Sequence, residues 1–515
     1  MVNGRNNASI NYNASRSTSI RLSFSAPVDH SSVGAAISWK TIAGATAAYS
    51  VVYANNDSSL ILQPSSPLPP LTKYTVSVST TLQSQAKGPL QSAINISLVT
   101  AIDSTDKFPR LSDSALLDLV EAQTLKYFWN FGHPTSGLTR ERTTSGDVVT
   151  TGGSGFGVMA ILVGIQRNFV TRQQGLARIQ TIVNFLSGKA QRFHGAFPHW
   201  MNGATGITVP FSTQDDGADL VETAFLMEGL LTARQYFNSA TDPTETAVRD
   251  SINSMWKSVE WDWFRQNTQN TLYWHWSPNY NWSTNQTVTG WNEALITYVL
   301  AASAPDHNIP RIVYDNGWAG NGAIRNGNKY FGTTLPLGPT QGGPLFFAHY
   351  SFLGLDPRRL NDAYANYWTQ DTAHARINYS YCVTNPQNYN GYSAQCWGLT
   401  ASDDNISGYS AHSPTNDLGI ISPTAAVSSL PYTPIESMNA LRFFYYTLGD
   451  KIWGDYGFVD AFNLSNPWFD TDYLAIDQGP EIIMIENYRS GLLWNLFMSC
   501  PEIQSGLQKL GFSEL

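Results

Sequence analysis

The hydrophobic period of this chain changes near residue 112, and no other feature limits its possible folds so strongly. Before that point apolar residues recur at every second position: Ile20, Leu22 and Phe24, then Tyr74, Val76 and Val78, then Ile94, Ile96 and Leu98. Such alternation buries one face of an extended strand and wets the other. Ser, Asn and Asp clusters and the turn Pro67 to Pro70 separate these runs, so residues 1–102 predict a small all-β sandwich without helices. From Ser112 onward the spacing is helical: Leu116, Leu117, Leu119 and Val120, then Leu125, Phe128 and Trp129, behind a cap at Ser112 or Asp113. Comparable patterns predict helices over 157–166, 175–186, 220–236, 248–263, 292–302, 437–448 and 481–498. Helix after helix without intervening strands predicts an all-α domain over 103–515. A length of 515 residues accommodates both domains.

Charge and composition narrow the function. Thirty basic against 39 acidic residues give a net charge of -9, leaving no positive field to hold a phosphate backbone, so no nucleic acid partner is expected. A 42% hydrophobic content excludes a disordered chain. No apolar run approaches the roughly eighteen residues of a membrane span, so no membrane insertion is expected. Three cysteines are too few for a disulfide scaffold; a Cys382–Cys396 bridge would contribute about 3 kcal/mol, and the spacing leaves bridged and free forms open. Few charges, many aromatic rings and abundant Asn, Ser and Thr suit a neutral polyhydroxy ligand, whose C–H faces stack on rings and whose hydroxyls bond amides; a large helical core would use the same rings.

Three groups of acids carry the chemistry. In the segment from Pro210 to Glu222, Asp215, Asp216, Asp219 and Glu222 precede and enter an apolar helix. First-turn acids are favoured by the free N–H groups, but one cap accounts for one or two acids, not four. Spacings of three and four would place Asp215, Asp219 and Glu222 on one helical face, where mutual repulsion calls for a ligand. The second group is Gly290-Trp-Asn-Glu293, where an apolar setting favours the neutral form that a general acid needs; a first-turn Glu is the plain reading. The third is Asp477, in a predicted loop before the helix at 481, either paired with Arg489 or catalytic. Loops rich in Trp and His (His199-Trp200, Tyr273 to Trp276, Phe346 to Tyr350, Cys396-Trp397) offer stacking surfaces.

Two resemblances extend this reading. Residues 20–28 and 71–78 are similar to bacterial immunoglobulin-like modules. The motifs from Ser136 to Arg142, Thr150 to Gly157, His194 to Met201, Gly290 to Glu293, Gly343 to Ser351, Tyr409 to Asp417 and Asp477 to Pro480 resemble, in order, the glycoamylase-like family of bacterial glycoside hydrolases. That family includes endo-β-1,2-glucanases and sophorose-releasing β-1,2-glucan hydrolases. The resemblance implies an (α/α)6 barrel that cleaves β-1,2-glucan with inversion, as a monomer without cofactor or metal, in the periplasm or outside the cell after removal of an export signal. It makes Glu293 the expected general acid and Asp477 the expected general base, with Asp215, Asp219 and Glu222 in the same site. Arg140, Arg142, His199, Trp200, Trp276, His349, Tyr350 and Trp397 are the expected substrate contacts. An open cleft would give endo cleavage and a cleft walled by the front domain would give exo release; the exo form is the expectation carried forward.

Other chemistries fit the sequence less well. Asp215-Asp-Gly-Ala-Asp219 has the spacing of magnesium-binding prenyl-diphosphate enzymes, yet no companion motif or basic pocket accompanies it. A polysaccharide lyase on the same barrel would prefer acidic sugars, which a net charge of -9 repels. A non-catalytic glucan-binding protein is the remaining alternative.

Overall fold

Alternation in the first hundred residues becomes seven short strands in the computed structural model, which describes residues 1, 2, 4 and 6–513. These are β1 (Asn11–Ala14), β2 (Ile20–Ser23), β3 (Ile37–Thr41), β4 (Tyr49–Ala54), β5 (Ser59–Pro64), β6 (Lys73–Val78) and β7 (Ile94–Thr100). One sheet has the order β1-β7-β6-β3, with β1 parallel to β7; the other has the order β2-β5-β4. The predicted inward residues Ile20, Leu22, Val76, Val78, Ile96 and Leu98 are buried together around Trp39. The expectation of a helix-free segment is corrected by α1 (His30–Ala36). Asp29 caps it, accepting from the Ser31 backbone N–H, and that local bond overrides the surrounding strand pattern. This compact unit spans Met1–Lys107 and includes Gln387–Gly391 and Phe462–Phe469.

The second unit is helical. Its helices are α2 (Asp113–Trp129), α3 (Thr151–Gln166), α4 (Arg172–Gly188), α5 (Leu220–Tyr236), α6 (Pro243–Ser258), α7 (Leu295–Ser303), α8 (Arg311–Val313), α9 (Tyr367–Thr384), α10 (Pro423–Ser428), α11 (Pro434–Arg442), α12 (Gly449–Ile452), α13 (Ala475–Arg489), α14 (Leu492–Met498) and α15 (Pro501–Leu510). Two kinds can be told apart. In α3, α5, α7 and α10 nearly every side chain is buried, whereas α4 and α6 bury one stripe, such as Val248, Ile252, Met255 and Trp256. A helix apolar all round has other helices on every side; a striped one faces water. Accordingly α10, α13, α3, α5 and α7 pack in that succession, with α2 and α4 against α3, α6 against α5 and α11 against α10.

The α3–α5 contact is made by missing side chains. A Cβ on Gly155 would stand 2.2 Å from the Phe225 carbonyl oxygen, and one on Gly229 would stand 2.2 Å from the Gly155 carbonyl oxygen. Only glycine permits this approach of two backbones. The helix predicted over 481–498 is two helices, α13 and α14, and α13 begins six residues earlier, so Asp477 sits in its first turn rather than in a loop. Cys382, Cys396 and Cys500 are buried free thiols, so Cys382 and Cys396 are not bridged. Among the described residues no helix is long and apolar enough to cross a membrane.

Candidate active site

A cavity of about 340 Å³ opens within the helical unit, with three carboxylates, Glu141, Glu222 and Glu293, in its lining. Rings supply most of the rest. Phe211 joins two of them, its ring lying 4.8 Å from Trp200 and 4.3 Å from His199; Phe346 stacks on Tyr350 at 5.1 Å, Phe225 meets Tyr350 at 5.6 Å, and Trp274 and Tyr409 also line the cavity. Phe211 is 51% exposed, and a large ring left in solvent beside a polar cavity is suited to a sugar face.

Glu293 precedes α7 in the turn after Trp291. Trp291 packs away from the cavity, donating its indole N–H to His374 Nδ1 at 3.3 Å, and the carboxyl of Glu293 is left facing the lumen. Burial raises its pKa from 4.5 to about 7, with the charges of Glu222 and Asp219 adding to the rise. The proton is thereby retained near neutrality, as acid catalysis requires.

Glu222 is fixed by its neighbours. Its Oε2 accepts from the Gly152 N–H at 2.7 Å and from Thr150 Oγ1 at 3.3 Å, so the N-terminus of α3 clamps a side chain of α5. Gly152 is required here, because a Cβ would lie 2.8 Å from that same oxygen. Asp219 does a different job. It caps α5, accepting from Val221 N–H and Glu222 N–H at 2.9 Å each, and it faces His199 Nδ1 at 2.9 Å and His275 Nε2 at 3.3 Å. β8 (Ala218–Asp219) pairs with β9 (His275–Trp276), which sets His275 directly opposite Asp219. Burial opposes the imidazolium of His199, but Glu222 and Asp219 overcome it and raise its pKa to about 9; His275 is raised likewise. Those two imidazolium groups hold Asp219 below the ordinary carboxylate range against its own burial. Asp215 lies 3.2 Å from His275 and is pushed up to about 6 by burial and by Asp219.

The expectation that Asp215, Asp219 and Glu222 share a helical face is therefore corrected: Asp215 is in the preceding loop and Asp219 is the cap. Of the three only Glu222 reaches the cavity lining. Donor atoms of His199, Asp215 and Asp219 lie within 4.8 Å of one another, with His199 Nδ1 engaged by Asp219 at 2.9 Å.

Arg142 organises a second acidic region. Its Nε donates to Glu141 at 2.9 Å and its Nη1 to Asp403 at 2.9 Å, with Asp472 at 3.9 Å. Asp477 lies behind this wall, 4% exposed; Ile476 reaches the lining, and the Tyr350 and Tyr409 hydroxyls both feel its charge. Its partner is not Arg489, which bonds Asp118 at 2.7 Å and Glu121 at 2.5 Å near the far end of α13. Asp477 instead meets Asp460, and burial raises both, Asp460 further.

The remaining predicted contacts divide cleanly. Arg142, His199, Trp200 and Tyr350 line the cavity. Arg140 lies over Phe131 and donates to the Gly146 and Phe131 carbonyls; Trp276 packs on Phe193, His194 and Trp263; His349 faces Ser429 Oγ at 3.1 Å; and Trp397 is fully buried against Tyr379. These four lie outside the lining. Glu141, Phe211, Asp403, Tyr409 and Asp460 were not singled out from the sequence. For Glu141 the clue was present beside Arg142 in the Ser136 to Arg142 motif.

Comparison with known proteins places the chain in a family. The glycoamylase family model, described as "Putative glucoamylase", matches residues 285–501, and a bacterial Ig-like domain model matches residues 3–100. A relative from Parabacteroides distasonis, an exo β-1,2-glucooligosaccharide sophorohydrolase (non-reducing end), is 46% identical over 440 residues, 81% of this chain and 60% of that relative. This chain thus spans less than two thirds of the relative's length. An endo-β-1,2-glucanase from Chitinophaga pinensis, solved with sophorotriose and glucose, is 52% identical with a TM-score of 0.76, covering 78% of this chain and 99% of that one. A β-1,2-glucanase structure from P. distasonis is 39% identical with a TM-score of 0.76, covering 97% of this chain and 72% of that one.

Proposed function

Because the chain belongs to the glycoamylase-like family, with a bacterial Ig-like domain ahead of it, we propose that it hydrolyses β-1,2-glucan with inversion and releases sophorose from chain ends. The observation that carries this reading is Glu293, a carboxyl lifted to about 7 in a ring-lined cavity. We also infer an (α/α)6 barrel: α3, α5, α7, the 3-10 turns over 345–352, α10 and α13 form the inner set, and α2, α4, α6, the turns starting at α8, α9 and α11 the outer one.

In the proposed reaction a glucosyl ring lies against the aromatic wall. Neutral Glu293 gives its proton to the departing glycosidic oxygen. Water attacks the anomeric carbon from the opposite face and its proton goes to Asp477. Inverting pairs stand about 6.5–9.5 Å apart to admit that water, whereas retaining pairs stand at about 5–5.5 Å. Since Asp477 is 4% exposed, the proton crosses an intervening hydroxyl or water to reach it. Glu222 and Glu141 accept hydrogen bonds from sugar hydroxyls, and Arg142 holds Glu141 in place.

The relatives divide over exo and endo action, so the deciding experiment is a time course on long linear β-1,2-glucan with the product anomer read by NMR. Sophorose alone from the first minutes, formed initially as the α-anomer, is expected. A ladder of sizes would refute the exo mode, an initial β-anomer would refute inversion, and intact polymer would refute the reading.

A further inference from the structure

Two buried carboxyls, Asp460 at 0% exposure and Asp477 at 4%, face each other, and among the described residues neither forms an ion pair. Their environment is specific. Asp460 Oδ2 accepts from the Asp403 backbone N–H at 2.7 Å, which leaves Oδ1 without a partner; Oδ2 of Asp477 is likewise a buried oxygen with none. The nearest guanidinium, Arg142, is committed to Glu141 and Asp403. Other titratable groups facing the pair are Asp403 and Asp470, whose oxygens lie within 4.8 Å of an Asp460 oxygen, then Glu481, Tyr350 and Tyr409, and Tyr127 on α2 beside Asp460; the Thr424 hydroxyl also faces Asp477. None of these neutralises two charges. Two adjacent ionised carboxylates at this depth repel each other strongly, and two orphaned acceptors are costly as well. A single proton removes both penalties, turning one acceptor into a donor for the other.

We propose that Asp460 is a positioning residue for the proposed hydrolysis: it keeps one proton, donates it to Asp477, and so holds Asp477 as an oriented, singly charged base. The proposal rests on Asp477 receiving the proton of the attacking water; the Asp460 proton itself is not transferred. Burial and the charge of Asp477 hold Asp460 well above the ordinary carboxylate range, consistent with this assignment.

The test pairs Asp460→Asn, which keeps a donor, with Asp460→Ala, which does not. Removing a donor to a charged acceptor should lower kcat about tenfold to a hundredfold in D460A with KM little changed. It should also raise the acid limb of the kcat/KM profile by about one pH unit or more, because the Asp477 anion loses support. D460N should keep the limb near its wild-type place. If Asp460 were ionised, both variants would instead lower the limb by relieving repulsion, and that result overturns the proposal. An unmoved limb in both variants, leaving a structural role only, overturns it too.

Oxygens of Asp403, Asp460 and Asp470 lie within 4.8 Å of one another, so a divalent cation is the competing occupant. Calcium that raises Tm in wild type but not in D460N would show that a metal, not a proton, satisfies Asp460. Infrared difference spectra separate this question from the activity. A protonated-carboxyl band present in wild type at neutral pH and lost in D460N supports the shared proton even if β-1,2-glucan proves not to be the substrate; its absence refutes the proton whatever the substrate.

Discussion

Replacing Glu293 by Gln removes the proton that the cavity is built to keep, while leaving shape and neutral charge in place. At pH 6 a carboxyl with a pKa of about 7 is protonated in about nine of ten molecules, against about one in thirty at the ordinary 4.5. Burial therefore multiplies the competent fraction about thirtyfold before any chemistry is counted. General acid catalysis contributes about 10²–10⁴ in rate, so E293Q should lose about 3–5 kcal/mol of transition-state stabilisation in kcat on β-1,2-glucan, with KM within a few-fold because the amide still contacts the sugar. An aryl β-sophoroside with an acidic phenol as leaving group supplies the control, since its departure needs little protonation. On it E293Q should retain kcat within about tenfold of wild type. Equal losses on the glucan and the aryl glycoside would refute the role of Glu293 as acid, and full activity on the glucan would remove it from the mechanism.

Four further outcomes follow from the geometry. The kcat/KM profile should be a bell centred near pH 7: activity falls on the acid side as Asp477, raised to about 7 by burial, takes up its proton, and on the alkaline side as Glu293 loses its own; a flat profile between pH 5 and 9 would contradict both assignments. Asp219→Ala removes the cap of α5 and strands two buried imidazolium groups, an expected cost of about 3–5 kcal/mol by denaturant titration at pH 7, whereas Asp219→Asn retains the cap and should lose about 1 kcal/mol less. His199 has a folded pKa of about 9, above its ordinary 6.5, so its contribution is complete below pH 6.5 and lost as pH rises toward 9; the wild-type advantage over D219A should shrink across that window, and a constant gap would refute the ion pair. Gly155→Ala places a methyl 2.2 Å from a backbone oxygen of α5 and should destabilise the helical unit by about 2 kcal/mol or more; a Tm unchanged from wild type would refute the tight crossing.

Local patterns in the sequence read well wherever the chemistry was itself local. The helix over 220–236 was read to its true bounds because an acidic cap precedes an unbroken apolar run. The start of α13 was misplaced because Gly479-Pro480 reads as a breaker, yet Pro480 lies within the helix. Glu293 and Glu222 were legible because each lies at the mouth of an apolar helix. Asp403 and Asp460 were not: Asp403 meets Arg142 across 261 residues, and no feature of its own neighbourhood distinguishes it from a surface acid. Asp219 was legible as an acid of the site but not as a cap between two histidines, because the strand pairing that brings His275 opposite it joins segments more than fifty residues apart.

The glycine crossing of α3 and α5 has a consequence for anyone who would reshape this pocket. Glu222 is carried by one of these helices and held by the Gly152 N–H at the tip of the other, so its position follows the spacing of two main chains, with the Thr150 hydroxyl as a longer second bond. Point substitutions along the lumen can retune the rings, but shifting that carboxylate calls for redesigning both helices as a unit.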